Sequence, residues 1–151
     1  MDSTNTTDPP LPQRWMGLLA VALTTVVWIG LTRLQASASG YGTHTQLDLP
    51  SCGYLMRTGY PCPGCGVTTS LTHAAHFHWP SSISAHALGL FTMGTLLAIM
   101  LAGGVQCVTQ RPALRWLFRW WKWWLVVFCF ALFGGWAANV LIGKAQGIYP
   151  L

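Results

Sequence analysis

Cysteine is the residue type in this sequence best suited to chemistry, and three of the five cysteines fall between positions 52 and 65. Cys62 and Cys65 frame the run Cys-Pro-Gly-Cys-Gly, and Cys52 lies ten residues before Cys62. The proline restricts one backbone angle, and the glycines permit conformations that other residues avoid. We therefore predict a tight turn whose two thiols point the same way and can bind a metal ion or form a disulfide.

A short helix is predicted to follow this turn, over residues 67–77. Cys65 would lie at or just before its N-terminus, where the helix dipole and free N–H groups favour a thiolate. Thr68 or Thr69 is expected to cap the start of the helix with its hydroxyl. Helical spacing puts His73 on the same face as Cys65, so an imidazole is expected near the thiols.

The first interpretation of this stretch is a metal site. Thiolates and an imidazole in a tetrahedral set suit zinc. The predicted ligands are Cys52, Cys62, Cys65 and His73, with His76 as the alternative fourth ligand.

Two other interpretations stay open. A disulfide, structural or redox-active, would join Cys62 to Cys65, or Cys52 to one of them. Thiol oxidoreductases use a Cys-x-x-Cys at a helix start, but no βαβ pattern surrounds this one. The last interpretation is a rigid turn without a ligand. The sequence contains no phosphate-binding glycine loop, carboxylate pair or serine triad, which favours a module that is not an enzyme.

The elements around the turn are those of a membrane protein. The sequence is 52% hydrophobic and 7% charged, whereas a soluble domain carries roughly a quarter charged residues. Uncharged runs predict transmembrane helices over residues 15–32, 87–108 and 123–143. We predict an all-α membrane protein of about three spans. The remaining segments are polar tails at 1–14 and 144–151, an outer segment at 33–86 with the Cys/His-rich stretch 52–78, and a basic interfacial helix at 109–122.

The first apolar run has a second interpretation as a secretory signal peptide, because Ala36-Ser37-Ala38 resembles a cleavage site. In either case the segment that follows would end on the same side of the membrane.

Orientation is predicted from the segment between the second and third spans. Four cations lie there at helical spacing, Arg111, Arg115, Arg119 and Lys122, among several tryptophans. Short loops rich in Lys and Arg stay in the cytoplasm. We therefore expect the N-terminus inside and the cysteines outside. In a bacterial cytoplasmic membrane that side is the periplasmic face, where disulfides are allowed. A basic, Trp-rich face beside a span predicts contact with the bilayer and anionic lipid headgroups, and no nucleic acid is expected.

Oligomers or other membrane proteins are predicted as partners. Gly94, Ala98 and Ala102 recur every four residues, a spacing that lets another helix approach closely in lipid. Asn139 is a polar residue inside the third run and is expected to form a hydrogen bond to another helix. A small transporter or metal-handling component is a further alternative, which depends on Asn139.

The cysteine motif resembles a known family. The residues that carry the resemblance are Cys52, Thr58-Gly59, Cys62-Pro63, Cys65-Gly66 and Thr68-Thr69. They are similar to the small bacterial membrane proteins called domain of unknown function 2752, over roughly residues 49–99. The resemblance implies an integral membrane protein with a thiol motif and implies no activity.

Three positions depart from the pattern of that family. Many members have arginine where this chain has Thr69, and many have glycine where residues 76–78 stand. The Asn-Pro-like element that opens a span in the family corresponds to His86-Ala87. An activity that depends on the arginine or on the Asn-Pro element would be absent or altered in this chain.

Overall fold

The computed structural model of the chain describes residues 11–145, with side chains from Arg14 onward. Helices dominate this range, and it contains no strand, so the predicted all-α class is confirmed. The tails predicted at 1–14 and 144–151 fall mostly outside the described residues, but residues 11–14 and 144–145 are already helical.

Seven α-helices follow one another in the described residues 11–145. They are α1 (Leu11–Arg33), α2 (Gly53–Thr58), α3 (Val67–Ala75), α4 (Trp79–Ala85), α5 (Ala87–Thr109), α6 (Ala113–Phe118) and α7 (Trp121–Ala145), with a 3₁₀ turn at Thr43–Leu47 before α2. Three of the helices, α1, α5 and α7, are long and apolar enough to cross a membrane. The cysteine segment lies between the first two of these, as predicted.

The central helix is α5, which contacts α1, α3, α4, α6 and α7. It runs antiparallel to α1, so that Gly17 near the start of α1 meets Gly103 near the end of α5. A Cβ atom on Gly103 would lie 2.9 Å from the carbonyl oxygen of Gly17, so both glycines are needed for this close approach. Gly94, the first residue of the predicted small-residue face, has open space beside it, because a Cβ atom there would meet nothing within 4 Å.

A small apolar core lies at the end of the bundle that carries the cysteine segment. It joins Leu31 and Leu34 at the end of α1, Ala74 and Ala75 of α3, and Met93 of α5. This core seats α3 on the two spans and so determines where the turn before α3 is held.

His86 begins α5 in the position that the family pattern gives to asparagine. The Leu88 backbone N–H donates to His86 Nδ1 at 3.1 Å, which satisfies one of the unpaired donors at the helix start. The ring is almost fully buried, with 1% of the residue exposed. His86 therefore caps the helix as an asparagine side chain would.

The basic segment differs from the single helical face that the sequence predicts. Gln110 adopts a left-handed conformation (φ 60°), and the helix that follows, α6, covers only Ala113–Phe118. Arg111 therefore precedes α6 and Lys122 lies in α7, so the four cations are spread over two helices and their ends. Arg14 joins this end of the bundle, where its Nε lies 3.1 Å from the side-chain amide of Gln110.

Candidate metal and thiol site

The sulfur atoms of Cys52, Cys62 and Cys65 lie within 4.8 Å of one another. Cys62 Sγ and Cys65 Sγ are 3.3 Å apart. Cys65 is buried and the other two are partly exposed, so the cluster is held by the protein and still reachable from outside. The structure thus brings together the three cysteines predicted from the motif.

The turn that carries two of these thiols is closed by its own backbone. The Cys65 N–H donates to the Cys62 carbonyl oxygen at 2.9 Å. Gly66 follows with φ 90° and begins α3 without a side-chain cap. A Cβ atom on Gly66 would lie 2.7 Å from the carbonyl oxygen of Ala85 and 3.0 Å from that of Gly40, so only glycine fits here.

The threonines predicted to cap α3 do not do so. Thr69 is fully buried and shares a 2.8 Å hydrogen bond between hydroxyls with Thr43, in the 3₁₀ turn. The hydroxyl of Thr69 therefore ties α3 to the segment before α2. The sequence pattern alone could not indicate this partner, because the two residues are 26 positions apart.

The third span, α7, forms hydrogen bonds to the backbone around the thiol turn. Trp136 Nε1 donates to the Pro61 carbonyl oxygen at 2.7 Å, next to Cys62. Asn139 Nδ2 donates to the Ala85 carbonyl oxygen at 2.7 Å, which confirms the predicted hydrogen bond of Asn139 to another helix. In addition, Lys144 Nζ lies 5.3 Å from the centre of the Tyr60 ring, within the range of a cation–π contact.

A cavity of about 500 Å³ opens beside the three sulfur atoms. Its walls come from the loop after α1, the 3₁₀ turn, α2 and the start of α3. The lining residues that could take part in binding are Tyr41, His44, Cys52, Met56, Cys62, Cys65, Thr68 and Thr69.

Cys52 and Cys65 differ in acidity. The pKa of Cys52 is lowered to about 7, chiefly because the Leu55 backbone N–H in the first turn of α2 donates to its sulfur. Burial raises the pKa of the Cys65 thiol to about 12, and hydrogen bonds with Cys62 and Cys52 add to the rise. The predicted thiolate at Cys65 is therefore wrong for the metal-free protein, because the cost of desolvation exceeds the stabilisation that the N-terminus of α3 gives to a thiolate. Cys52 is more acidic than Cys65.

His73 does not join the three cysteines. It sits near the end of α3, and six residues of helix after Val67 amount to about 9 Å of rise, so a shared face does not bring it to the start of the helix. Its ring instead lies 6.2 Å from that of His78, centre to centre. Burial lowers the pKa of His73, and the neighbouring His78 and His76 lower it further. The alternative ligand, His76, has its Nε2 3.2 Å from the Leu34 carbonyl oxygen.

The histidine that does line the cavity is His44, which lies outside the cysteine motif and was not among the predicted ligands. It lies in the 3₁₀ turn, eight positions before Cys52 in a loop rich in glycine and small polar residues. No spacing rule connects it to the cysteine motif. Only the folding of the loop over the turn places it there.

Residues 48–100 match the family model DUF2752, described as a protein of unknown function. The resemblance predicted from the cysteine motif is confirmed over these residues. The match covers about a third of the chain and contains all three clustered cysteines together with α2, α3, α4 and the first half of α5. No curated protein and no solved structure gives a significant match.

The DUF2752 segment also explains two departures from the family pattern. Phe77, in the stretch where many members have glycine, has φ 61°, a conformation that glycine adopts without strain. Its ring packs 6.1 Å from Trp28 and 5.8 Å from Trp79, centre to centre. Thr69, in place of arginine, is buried in the contact with Thr43.

Proposed function

We propose that this chain is a non-enzymatic integral membrane module that binds one zinc-type metal ion through Cys52, Cys62 and Cys65. The observation that carries the proposal is the grouping of three sulfur atoms within 4.8 Å of one another at the wall of one cavity. The protein is an integral membrane protein with three apolar helices of spanning length.

The spacing of the three sulfur atoms suits one shared metal ion better than a disulfide, which can join only two of them. In a tetrahedral site with Zn–S bonds of about 2.3 Å, two sulfurs stand about 3.8 Å apart. Cys62 Sγ and Cys65 Sγ are 3.3 Å apart, and all three sulfur atoms lie within 4.8 Å of one another. The tetrahedral value lies between these two distances. A disulfide would join two of these cysteines and leave the third free.

The choice of metal follows from the donor atoms. Thiolate sulfur selects zinc or copper(I) over calcium and magnesium, which require oxygen ligands. Binding would convert the remaining thiols to thiolates and release protons, including the proton of the buried Cys65. Cys52, with its pKa lowered to about 7, loses its proton more readily than Cys65.

The experiment is elemental analysis of detergent-purified protein, with free thiols counted on the same sample. We expect about one zinc per chain, lost in Cys62→Ser. Cys129→Ser is the matched control, because Cys129 is an exposed residue of α7 away from the cluster. A metal-free protein with all thiols free, or a Cys62→Ser variant that keeps its metal, would overturn the proposal.

A thiol–disulfide oxidoreductase is the second candidate, favoured by the 3.3 Å contact of Cys62 Sγ with Cys65 Sγ. In that reaction the two thiols form one S–S bond and give two electrons and two protons to a substrate disulfide, which becomes two thiols. It predicts metal-free purified protein with two free thiols fewer than the sequence provides. Cys65→Ser would then abolish reduction of a disulfide substrate and leave the protein folded.

We further propose that the cysteine end faces outward and that the opposite end contacts anionic lipid headgroups. Five cations belong to the opposite end, namely Arg14, Arg111, Arg115, Arg119 and Lys122. Three belong to the cysteine end, Arg33, Arg57 and Lys144, together with the anion Asp48. This asymmetry follows the positive-inside rule in a bacterial cytoplasmic membrane.

Orientation is tested with a membrane-impermeant thiol reagent. We expect Cys52 to be labelled in intact spheroplasts and protected in inside-out vesicles. The reverse pattern would place the cysteines in the cytoplasm. A homo-oligomer or another membrane protein is proposed as a partner as well, because Gly135 and Gly143 are the only buried residues among those described for α7.

A further inference from the structure

We infer that His44 is the fourth ligand of the metal site, which it completes as a Cys₃His set. This inference rests on the proposed metal-binding function and names a ligand that the cysteine motif does not contain. A zinc site with three thiolates needs a fourth donor to become a closed tetrahedral site, whereas water in that position would leave it open.

The composition of the cavity wall selects His44. Among the described residues that line the cavity, it is the one with an imidazole, and no carboxylate lines the cavity. The other four histidines of the chain, His73, His76, His78 and His86, are not part of this wall. Among the described residues that line the cavity, His44 therefore supplies the one imidazole nitrogen, and it shares this lining with the three cysteines.

The hydrogen bond of His44 uses Nε2 and leaves Nδ1 available for a metal ion. Its Nε2 lies 3.1 Å from the carbonyl oxygen of Pro50, so the ring places its proton on Nε2 and donates it to that oxygen. Nδ1 then carries the lone pair. A metal-bound histidine commonly donates its other ring N–H to a backbone carbonyl, which orients the ring and raises its basicity.

The backbone on which His44 sits is fixed to the helix that follows the cysteines. Its neighbour Thr43 is fully buried and hydrogen-bonded to Thr69 of α3 at 2.8 Å. The Ser37 N–H donates to the same Thr43 hydroxyl at 3.0 Å, and the Thr45 N–H closes the 3₁₀ turn onto Gly42 at 3.0 Å. The turn therefore has a defined position relative to Cys65, and only the side chain of His44 needs to adjust.

The adjustment has a clear direction. His44 is not a member of the group whose ligand atoms all lie within 4.8 Å of one another. His44 is partly exposed, and it lines the same cavity as the three cysteines. Ligation therefore requires the ring to move into the cavity, toward a metal held by the three cysteines.

X-ray absorption spectroscopy of the zinc-loaded protein in detergent tests the inference. We expect three sulfur neighbours at about 2.3 Å and one nitrogen at about 2.0–2.1 Å, with the outer-shell scattering of an imidazole ring. In His44→Ala we expect the imidazole scattering to disappear. The zinc dissociation constant should rise by more than the roughly 10–100-fold that changes to outer-shell partners cause.

Two further variants sharpen the test. His76→Ala is the matched control, since His76 is an exposed histidine outside the cavity wall, and it should leave spectrum and affinity unchanged. His44→Cys should restore tight binding with four sulfur neighbours, because the position, rather than the imidazole itself, supplies the fourth ligand.

The outcomes separate this inference from the proposed function. A wild-type protein that binds no zinc would overturn both. Two results would overturn the role of His44 and leave the cysteine site intact. One is a His44→Ala variant that binds zinc with unchanged imidazole scattering. The other is a wild-type protein that binds zinc with three sulfur neighbours and no imidazole.

Discussion

The indole N–H of Trp136 donates a 2.7 Å hydrogen bond to the carbonyl oxygen of Pro61, 75 positions earlier in the chain. Pro61 immediately precedes Cys62, so the third span holds the start of the thiol turn directly. The site is therefore built by the whole bundle, although its three cysteines lie within 14 residues of sequence.

We expect Trp136→Phe to weaken zinc binding without abolishing it. The ring still fills its place, but the Pro61 carbonyl loses its partner and the turn is held less firmly. The dissociation constant should rise by about tenfold, the lower end of what outer-shell partners contribute. Competition with a chelator measures the change. Trp123→Phe is the control, because Trp123 is exposed, and equal affinities in both variants would contradict the prediction.

Gly66→Ala is expected to abolish the site, whereas Gly64→Ala should leave it nearly unchanged. The new Cβ atom at position 66 would lie 2.7 Å from the Ala85 carbonyl oxygen, in a residue with φ 90°. The left-handed backbone alone costs about 1–2 kcal/mol for alanine. At position 64 the nearest atom to a Cβ would be Cys62 Sγ at 4.0 Å. Bound zinc and the thermal midpoint in detergent report both effects, and equal zinc contents in the two variants would refute this account of the turn.

The close approach of α1 and α5 can be tested with two neighbouring glycines. A Cβ atom on Gly103 would lie 2.9 Å from the Gly17 carbonyl oxygen, while one on Gly104 would meet nothing within 4 Å. We expect Gly103→Ala to lower the free energy of unfolding by about 1–3 kcal/mol, as overpacking does. Gly104→Ala should be neutral or slightly stabilising, because alanine forms helices better than glycine. Thermal unfolding in detergent decides, and the opposite order of stabilities would mean that the two helices do not pack through Gly103.

Cys52 should react faster than Cys65 in reduced, metal-free protein near pH 7. Its pKa is lowered to about 7 by the Leu55 N–H, while burial raises the pKa of Cys65 to about 12. Because the thiolate is the reactive form, alkylation of Cys52 should increase as the pH rises through 7 and then level off, and Cys65 should stay slow over that range. Timed alkylation with iodoacetamide, followed by peptide mass spectrometry, measures each rate. Faster reaction of Cys65 than of Cys52 at pH 7 would contradict these assignments.

Local sequence patterns predicted the framework of this protein well. The three apolar runs became α1, α5 and α7, since in a bilayer an apolar run of about 20 residues satisfies its backbone only as a helix. The Cys-Pro-Gly-Cys-Gly run became a tight turn because its proline and glycines restrict the backbone locally. The family also followed from these residues.

Predictions that needed a distance or an environment fared worse. His73 shares a helical face with Cys65, yet the rise of α3 carries it away from the thiols. Cys65 lies before a helix start, but burial raises its pKa, and burial depends on residues that are distant along the chain. Thr69 has the residue type of a cap but binds Thr43, because that hydroxyl is brought to it by the loop after α1.

The sequence by itself determined that the chain has three helices long and apolar enough to cross a membrane and a tight turn that carries two thiols, because both depend on neighbours along the chain. Only the tertiary structure decided how closely Cys52 approaches the turn, that Trp136 supports it and that His44 lines the cavity beside it. These contacts join residues from separate helices and loops. Their geometry is determined by how α1, α5 and α7 pack, which no local pattern records.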